Sequence, residues 1–89
     1  MYKITYHPKV FKIDIPKLDK STKQRVKKSI ELKLMINPEI YSSPLRNTLS
    51  GKRKLRVGDY RVIFSIKEKT IKILIIRHRK DVYKTAVGR

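Results

Sequence analysis

Cysteine is absent from the 89 residues, which excludes disulfides and thiolate chemistry. Histidine is limited to His7 and His78, far apart in the chain and without an acidic cluster beside either, so a zinc or two-metal site has little support. The only glycines are Gly51, Gly58 and Gly88, and none belongs to a glycine-rich phosphate loop or a nucleophile elbow. No apolar run approaches the ~20 residues that a spanning helix needs. The opening MYKITYHPKV also lacks the apolar core of a signal peptide. The expectation is a cytoplasmic protein with no metal, no cofactor and no membrane partner.

Negative charge is scarce in the same way. Asp plus Glu number 7 against 24 Lys plus Arg, a formal net charge of +17. That excess costs self-repulsion and makes sense mainly with a polyanion or an acidic protein as partner. The length suits one domain, residues 1–89, burying about 60 to 65% of its unfolded surface.

Tyr2, Ile4 and Tyr6 alternate with Lys3 and Thr5, the pattern of a half-buried strand. Phe11, Ile15 and Leu18 then recur at helical spacing, and Pro16 predicts that this helix kinks or ends near Ile15. Ser21 and Gln24 resemble a capping box that opens a second helix, whose Val26, Ile30 and Leu34 form one face up to Asn37-Pro38. Residues 37–50 read as a loop with room for a short helical turn. Ile71 to Ile76 is a β-branched run suited to a central strand.

The densest information lies in KRKLRVGDYR, Lys52 to Arg61. Gly58-Asp59 suits a two-residue II′ turn that sets Val57 opposite Tyr60. Counting outward pairs Arg56 with Arg61, Lys54 with Ile63 and Lys52 with Ser65, and these residues share one face. The other face, Leu55/Val62 and Arg53/Phe64 with Val57/Tyr60, is largely apolar and belongs on the core. Like charges opposite one another in a ladder are destabilising, so an anion is expected on the cationic face. A solvated basic face is the plainer reading. The order strand, helix, helix, three strands predicts an α+β fold, an antiparallel β-sheet with an N-terminal helical pair packed on one face and the opposite, cationic face open.

With LRVGDYRVIF, the apolar ILII and the closing HRKDVY in view, the chain resembles the RelE/ParE superfamily of toxin-antitoxin toxins over essentially its whole length. The G-D-Y-R turn at Gly58 to Arg61 and the H-R-x-x-V-Y end at His78 to Tyr83 carry the resemblance. It implies a RelE-like fold and, for the RelE branch, a toxin that cuts messenger RNA in the ribosomal A site without metal, the 2′-hydroxyl attacking the adjacent phosphate. By motif position Lys54, Arg61, Arg79 and Tyr83 are the expected catalytic residues, with Lys52 as a fifth match. Arg46, Arg56, Arg77 and His78 are expected auxiliaries in RNA and phosphate binding.

The chemistry of that reaction suits these side chains. Arginine forks grip phosphate oxygens and stay charged. Lys54 is the expected proton acceptor, and Tyr83 is placed to stack on a base or exchange a proton. His78 is a further candidate for proton transfer, the role in which an imidazole is most often used. Little chain remains after Tyr83 for a further helix. The resemblance also implies a cognate, RelB-like antitoxin whose acidic or amphipathic segment covers the cationic face or displaces the segment around Tyr83. Two alternatives fit the same residues: a ParE-like poison of DNA gyrase, and a non-catalytic nucleic-acid-binding or degenerate toxin domain.

Overall fold

A computed structural model describes all 89 residues. Strand β1 (Lys3–Tyr6) leads into a first helical segment, Val10–Asp14, wound so widely that the Ile15 N–H donates to the Val10 carbonyl. The segment then tightens to a 3-10 turn at Ile15–Lys17. Pro16 accounts for the stop, because its ring crowds the carbonyl one turn back and it has no N–H to continue the ladder.

Helix α1 (Lys20–Ser29) follows and runs on as a second wide turn, Ile30–Leu34. Its N-cap is Asp19, where the sequence pattern suggests Ser21. The Asp19 carboxylate accepts from the Thr22 N–H at 2.7 Å, and hydrogen bonding from Thr22 holds it below the usual carboxylate range. A charged acceptor suits the positive end of the helix dipole better than a hydroxyl.

The loop is more structured than its composition suggests, with a short helix α2 (Pro38–Tyr41), a two-residue strand β2 (Ser43–Pro44) and a 3-10 turn at Asn47–Leu49. Arg53 ties it down, donating to the Ser42 hydroxyl at 2.7 Å and to the Glu39 and Ser42 carbonyls. Strands β3 (Arg53–Val57), β4 (Tyr60–Lys67) and β5 (Thr70–His78) form the meander. Helix α3 (Val82–Val87) ends the chain, so Tyr83 lies within a helix.

The sheet order is β1-β5-β4-β3-β2, with β1 parallel to β5 and the other pairs antiparallel. The central hairpin has the expected register: Val57↔Tyr60, Leu55↔Val62, Arg56↔Arg61, Lys54↔Ile63 and Arg53↔Phe64. Gly58 has φ +59° while Asp59 has a negative φ, the signature of a II′ turn.

One face of the sheet meets the helices as expected, with Val26, Ile30 and Leu34 packed on Leu55, Phe64 and Ile73. The opposite face is not wholly open. Ile63 and Ile75 are fully buried there beneath Leu49 and the α3 residues Val82 and Ala86, a second small core.

Asp14 is fully buried. Strand β1 stops pairing at Tyr6↔Ile73, leaving the Ile76 N–H without a strand partner, and Asp14 Oδ2 accepts from it at 2.9 Å. Arg77 Nε donates to Oδ1 at 3.0 Å, and Arg89 grips both oxygens from α3's end, at 2.6 and 3.2 Å. Arg89 also donates to the Leu74 carbonyl. One carboxylate thus joins the first helical segment, β5 and α3.

Two substitutions test this frame. Asp14→Ala leaves two arginines and a strand N–H without their acceptor, and should cost about 3 kcal/mol or more of unfolding free energy in urea. Gly58→Ala forces an L side chain into a positive φ and places its Cβ 2.7 Å from Arg25 Nη2; a loss of about 1–2 kcal/mol is expected.

Acid should weaken the fold as well. Partial burial, then the nearby cations Arg89, Lys72 and Lys9, push the His7 imidazole down from its ordinary value, with Asp14 opposing. Both His7 and Asp19 are therefore depressed in the folded state. Their stabilisation is complete above the unfolded values, about 6.5 and 3.9, and is lost as pH falls through the folded ones. The urea midpoint should decline in two stages below neutral pH, and a His7→Asn variant should lack the first.

Candidate active site

Three strands assemble a transverse row of arginines. Arg56 on β3 lies opposite Arg61 on β4, which lies opposite Arg77 on β5. The next row is Lys54, Ile63 and Ile75, and helix α3 covers its apolar part.

Arg77 joins the row only because β5 carries a bulge. Ile63 pairs with Ile75 and Phe64 with Ile73, so Leu74 is extra and the alternation of faces resets there. Leu74 and Ile75 both contact the α3 side, Ile76 returns to the helix side, and Arg77 follows on the cationic face.

The arginines are restrained to different degrees. Arg61 is only 8% exposed, and its Nη1 donates to the carbonyls of Gly58 and Tyr60, both at 2.9 Å. No buried side-chain nitrogen or oxygen lacks a partner, so its remaining donors reach solvent. Arg77 leans over the β5 edge to Asp14 and stands 18% exposed. Arg56 is exposed. Arg79 is exposed at the mouth of the same end, where its backbone N–H donates to the Asp59 carbonyl of the hairpin turn and docks the start of the C-terminal segment there.

Lys54 and Tyr83, 29 residues apart in sequence, meet across the edge of the second core. The Lys54 ammonium lies 3.3 Å from the Tyr83 hydroxyl and 5.8 Å from its ring centroid. Lys54 is diagonal to Arg61 across the β3–β4 ladder, within reach for long side chains. Tyr83 is 38% exposed, so its ring remains available to a ligand. Lys52 sits further along the same side, against Ala86, Arg89, Ile63 and Ile75.

Two expected auxiliaries fall outside this group. His78 pairs with Tyr60, whose side chain packs on the helix-side core. The two rings make an edge contact at 5.5 Å, and His78 Nδ1 accepts from the Lys80 N–H. Its alternation places it on the face away from the arginine row. Arg46 is exposed at the start of the Asn47–Leu49 turn and makes no side-chain contact with the row. No group of three or more His, Cys, Asp or Glu side chains is placed to hold a metal ion.

Asp14 and Arg89 are the participants that motif reasoning passes over. A signal for Asp14 was present: Val10, Asp14 and Leu18 lie four apart, so a carboxylate occupies an apolar helical face in a chain with very few carboxylates. Arg89 carries no such signal.

The arrangement is a fixed guanidinium, two tethered or exposed neighbours, and a lysine–tyrosine pair that faces solvent. It can hold a phosphate and exchange protons beside it. Comparison with known proteins agrees with this geometry at the level of family. The chain is similar to the toxin–antitoxin complex RelBE2 from Mycobacterium tuberculosis, at 26% identity over 88% of this chain and 98% of that one, with a TM-score of 0.77. It is similar to the archaeal RelE–RelB complex from Pyrococcus horikoshii at 29% identity, covering 88% and 94%, with a TM-score of 0.67. The RelB–RelE complex from Methanococcus jannaschii shares the fold at 20% identity, covering 91% and 96%, with a TM-score of 0.72. No curated protein matches the chain in sequence. The family model described as the ParE toxin of the type II toxin–antitoxin system parDE matches residues 4–83. The chain belongs to that family, and is a toxin of the RelE/ParE superfamily of type II toxin–antitoxin systems.

Proposed function

We propose that residues 1–89 act as one cytoplasmic toxin domain, a metal-independent endoribonuclease that cuts messenger RNA on the ribosome and halts translation. The observation that carries this reading is the Lys54–Tyr83 contact at 3.3 Å, diagonal to an arginine whose orientation backbone carbonyls hold fixed. A protein that acts only by binding needs cations, but it has no need of a proton-exchanging pair beside them.

Cleavage requires in-line placement of the 2′-hydroxyl, a proton acceptor for it, stabilisation of charge on the phosphorane, and a donor to the leaving 5′-oxygen. Arg61 and Arg79 bind the non-bridging oxygens, Arg61 by the donors left after the turn carbonyls take Nη1. Lys54 in its neutral form takes the 2′-proton, and Tyr83 passes a proton to the leaving oxygen or stacks on the adjacent base. Arg56 and Arg77 bind flanking phosphates, with Lys52 as an outlying contact. A restraining antitoxin would place an acidic or amphipathic segment over this face or lift α3 and Tyr83 away from Lys54. The solved relatives are themselves toxin–antitoxin complexes, which supports such a partner.

A second reading has its own support. The matching family model is that of ParE, and a gyrase poison would use the same surface for binding alone.

Brief induction in bacteria, with 5′ ends mapped on translated messages, separates the two. New ends confined to translated codons, and absent in Arg79→Ala, are the expected result; intact messages with growth arrest and DNA damage would move the assignment to gyrase. Arg79 is the first choice for substitution because its side chain supports no other part of the fold, whereas Arg61 braces the turn.

Tyr83→Phe then assigns the hydroxyl. If the hydroxyl exchanges a proton, single-turnover cleavage on ribosomes should fall by about 10²-fold or more. A change of less than about threefold would leave Tyr83 as a stacking platform.

A further inference from the structure

Arg56 borders two surfaces. It ends the arginine row on the sheet, and it also lines a groove of about 280 Å3 between the hairpin end of β3 and the helix that runs from α1 into Ile30–Leu34. Strand β2 pairs only with Arg53 and Lys54, so the outer edge of β3 is uncovered at Arg56. From the helix side Arg25, Lys28 and Lys33 converge on the groove, and no carboxylate lines it.

Nothing in the protein neutralises these charges. Both ion pairs of the molecule go to Asp14. Lys33 alone has an aromatic neighbour, the Tyr41 ring at 5.8 Å. The Arg25 guanidinium lies beside Gly58, so close that a Cβ there would come within 2.7 Å of Nη2 and 3.3 Å of Cζ. The glycine that forms the hairpin turn also leaves room for this cation.

Four cations around one groove repel each other unless a multivalent anion joins them. We infer that this groove is a second phosphate-binding site, which takes the RNA backbone as the strand leaves the arginine row over the end of β3. RNA fits better than an acidic peptide because Arg56 belongs to both surfaces, so a single strand can follow an unbroken line of donors from Arg77 and Arg61 through Arg56 to Arg25 and Lys28. The inference rests on the nuclease reading for the identity of the strand. Each phosphate that a cation neutralises on a single strand contributes about 0.7 to the slope of log K against log salt.

The test uses the full chain and a double variant, Arg25→Gln with Lys28→Gln, both positions being exposed. The probes are single-stranded RNA oligonucleotides that carry a 2′-O-methyl group at every position and so cannot be cut. One is long enough to reach the groove and the other covers only the arginine row. For the long probe, the variant should bind about tenfold more weakly with a salt slope reduced by about 1.4. For the short probe, and for the single-turnover cleavage rate at saturating RNA, it should equal the wild type. An unchanged salt slope on the long probe overturns the inference. So does equal weakening on both probes, which would report a general loss of charge attraction, and so does a loss confined to a polyglutamate peptide, which would assign the groove to a protein partner. If the wild type binds with the expected slopes yet cuts no RNA, on ribosomes or off them, the nuclease reading fails while the groove stands.

Discussion

A sheet whose first strand is short must do something with the strand it stops covering. Strand β1 leaves β5 after Ile73, and the Ile76 N–H then faces the interior with no ladder partner. Asp14 fills that gap with a carboxylate, and the rest of the molecule is arranged around the consequence. A fully buried carboxylate is tolerable only if its oxygens are saturated with donors. Here the backbone supplies one donor and Arg77 and Arg89 supply the others. One arginine comes from the ligand-facing row and the other from the end of α3. The demand for saturation therefore fixes two things at once: how far Arg77 leans from the row, and where α3 lies over the sheet.

The bulge at Leu74 is the second constraint, and it works through parity. A strict alternation that puts Ile71 and Ile73 on the helix side would put Ile75 and Arg77 there too, and would turn Ile76 outward. One extra residue reverses this for the remainder of the strand. Ile76 keeps the helix-side core continuous, Ile75 becomes the floor of the α3 core, and Arg77 reaches the cationic face. A single backbone irregularity thus lets one strand serve two cores and the site. The same α3 core then holds Tyr83 over Lys54, so a contact between residues 29 apart depends on an insertion nine residues upstream of the tyrosine.

What could be read in advance follows the range of the interactions involved. The β3–β4 hairpin was legible to the residue pair, because a two-residue turn and a period of two leave no freedom once Gly58 is placed. The helical pair and the interruption at Pro16 were legible for the same local reason. The N-cap was misplaced by two residues because Asp19 and Ser21 are both good caps, and the choice between them is set by where the first turn packs. The covered half of the cationic face was missed because α3 is too short to announce itself by periodicity; its existence depends on Ile63, Ile75 and the Asp14–Arg89 contact, all distant in sequence. The Asp14 cluster arises from contacts made across more than sixty residues, and a single chain read locally contains the participants without their meeting; the bulge is a register shift between β4 and β5 that no turn or periodicity marks. For the site, the residue types and their motif positions were legible. That Lys54 meets Tyr83, that Arg61 is half spent on its own turn, and that His78 falls on the far face follow only from the folded chain.

The arginine row raises an energetic question that bears on function. Arg56, Arg61 and Arg77 stand opposite one another across three strands, an arrangement that destabilises a sheet when the charges are free to interact. Two of them are partly relieved by the protein itself. Arg61 points donors at two carbonyls, whose dipoles offset part of its charge, and Arg77 is paired with Asp14. These contacts also remove rotamer freedom, so the entropy of ordering two long side chains is lost during folding and not during binding. A surface whose only task was to hold polyanion would gain nothing from such restraint, since mobile lysines collect counterions equally well. Restraint matters when charge must lie on particular oxygens at the moment a bond breaks, where preorganised donors lower the barrier because they need not reorganise. Exposed cations without an ionic partner lie on α1 and around its groove, where the proposed role asks for affinity rather than geometry. On the nuclease reading the positive charge divides in two: a small, restrained set beside the lysine–tyrosine pair, and a larger, unpaired set that brings the anion to it.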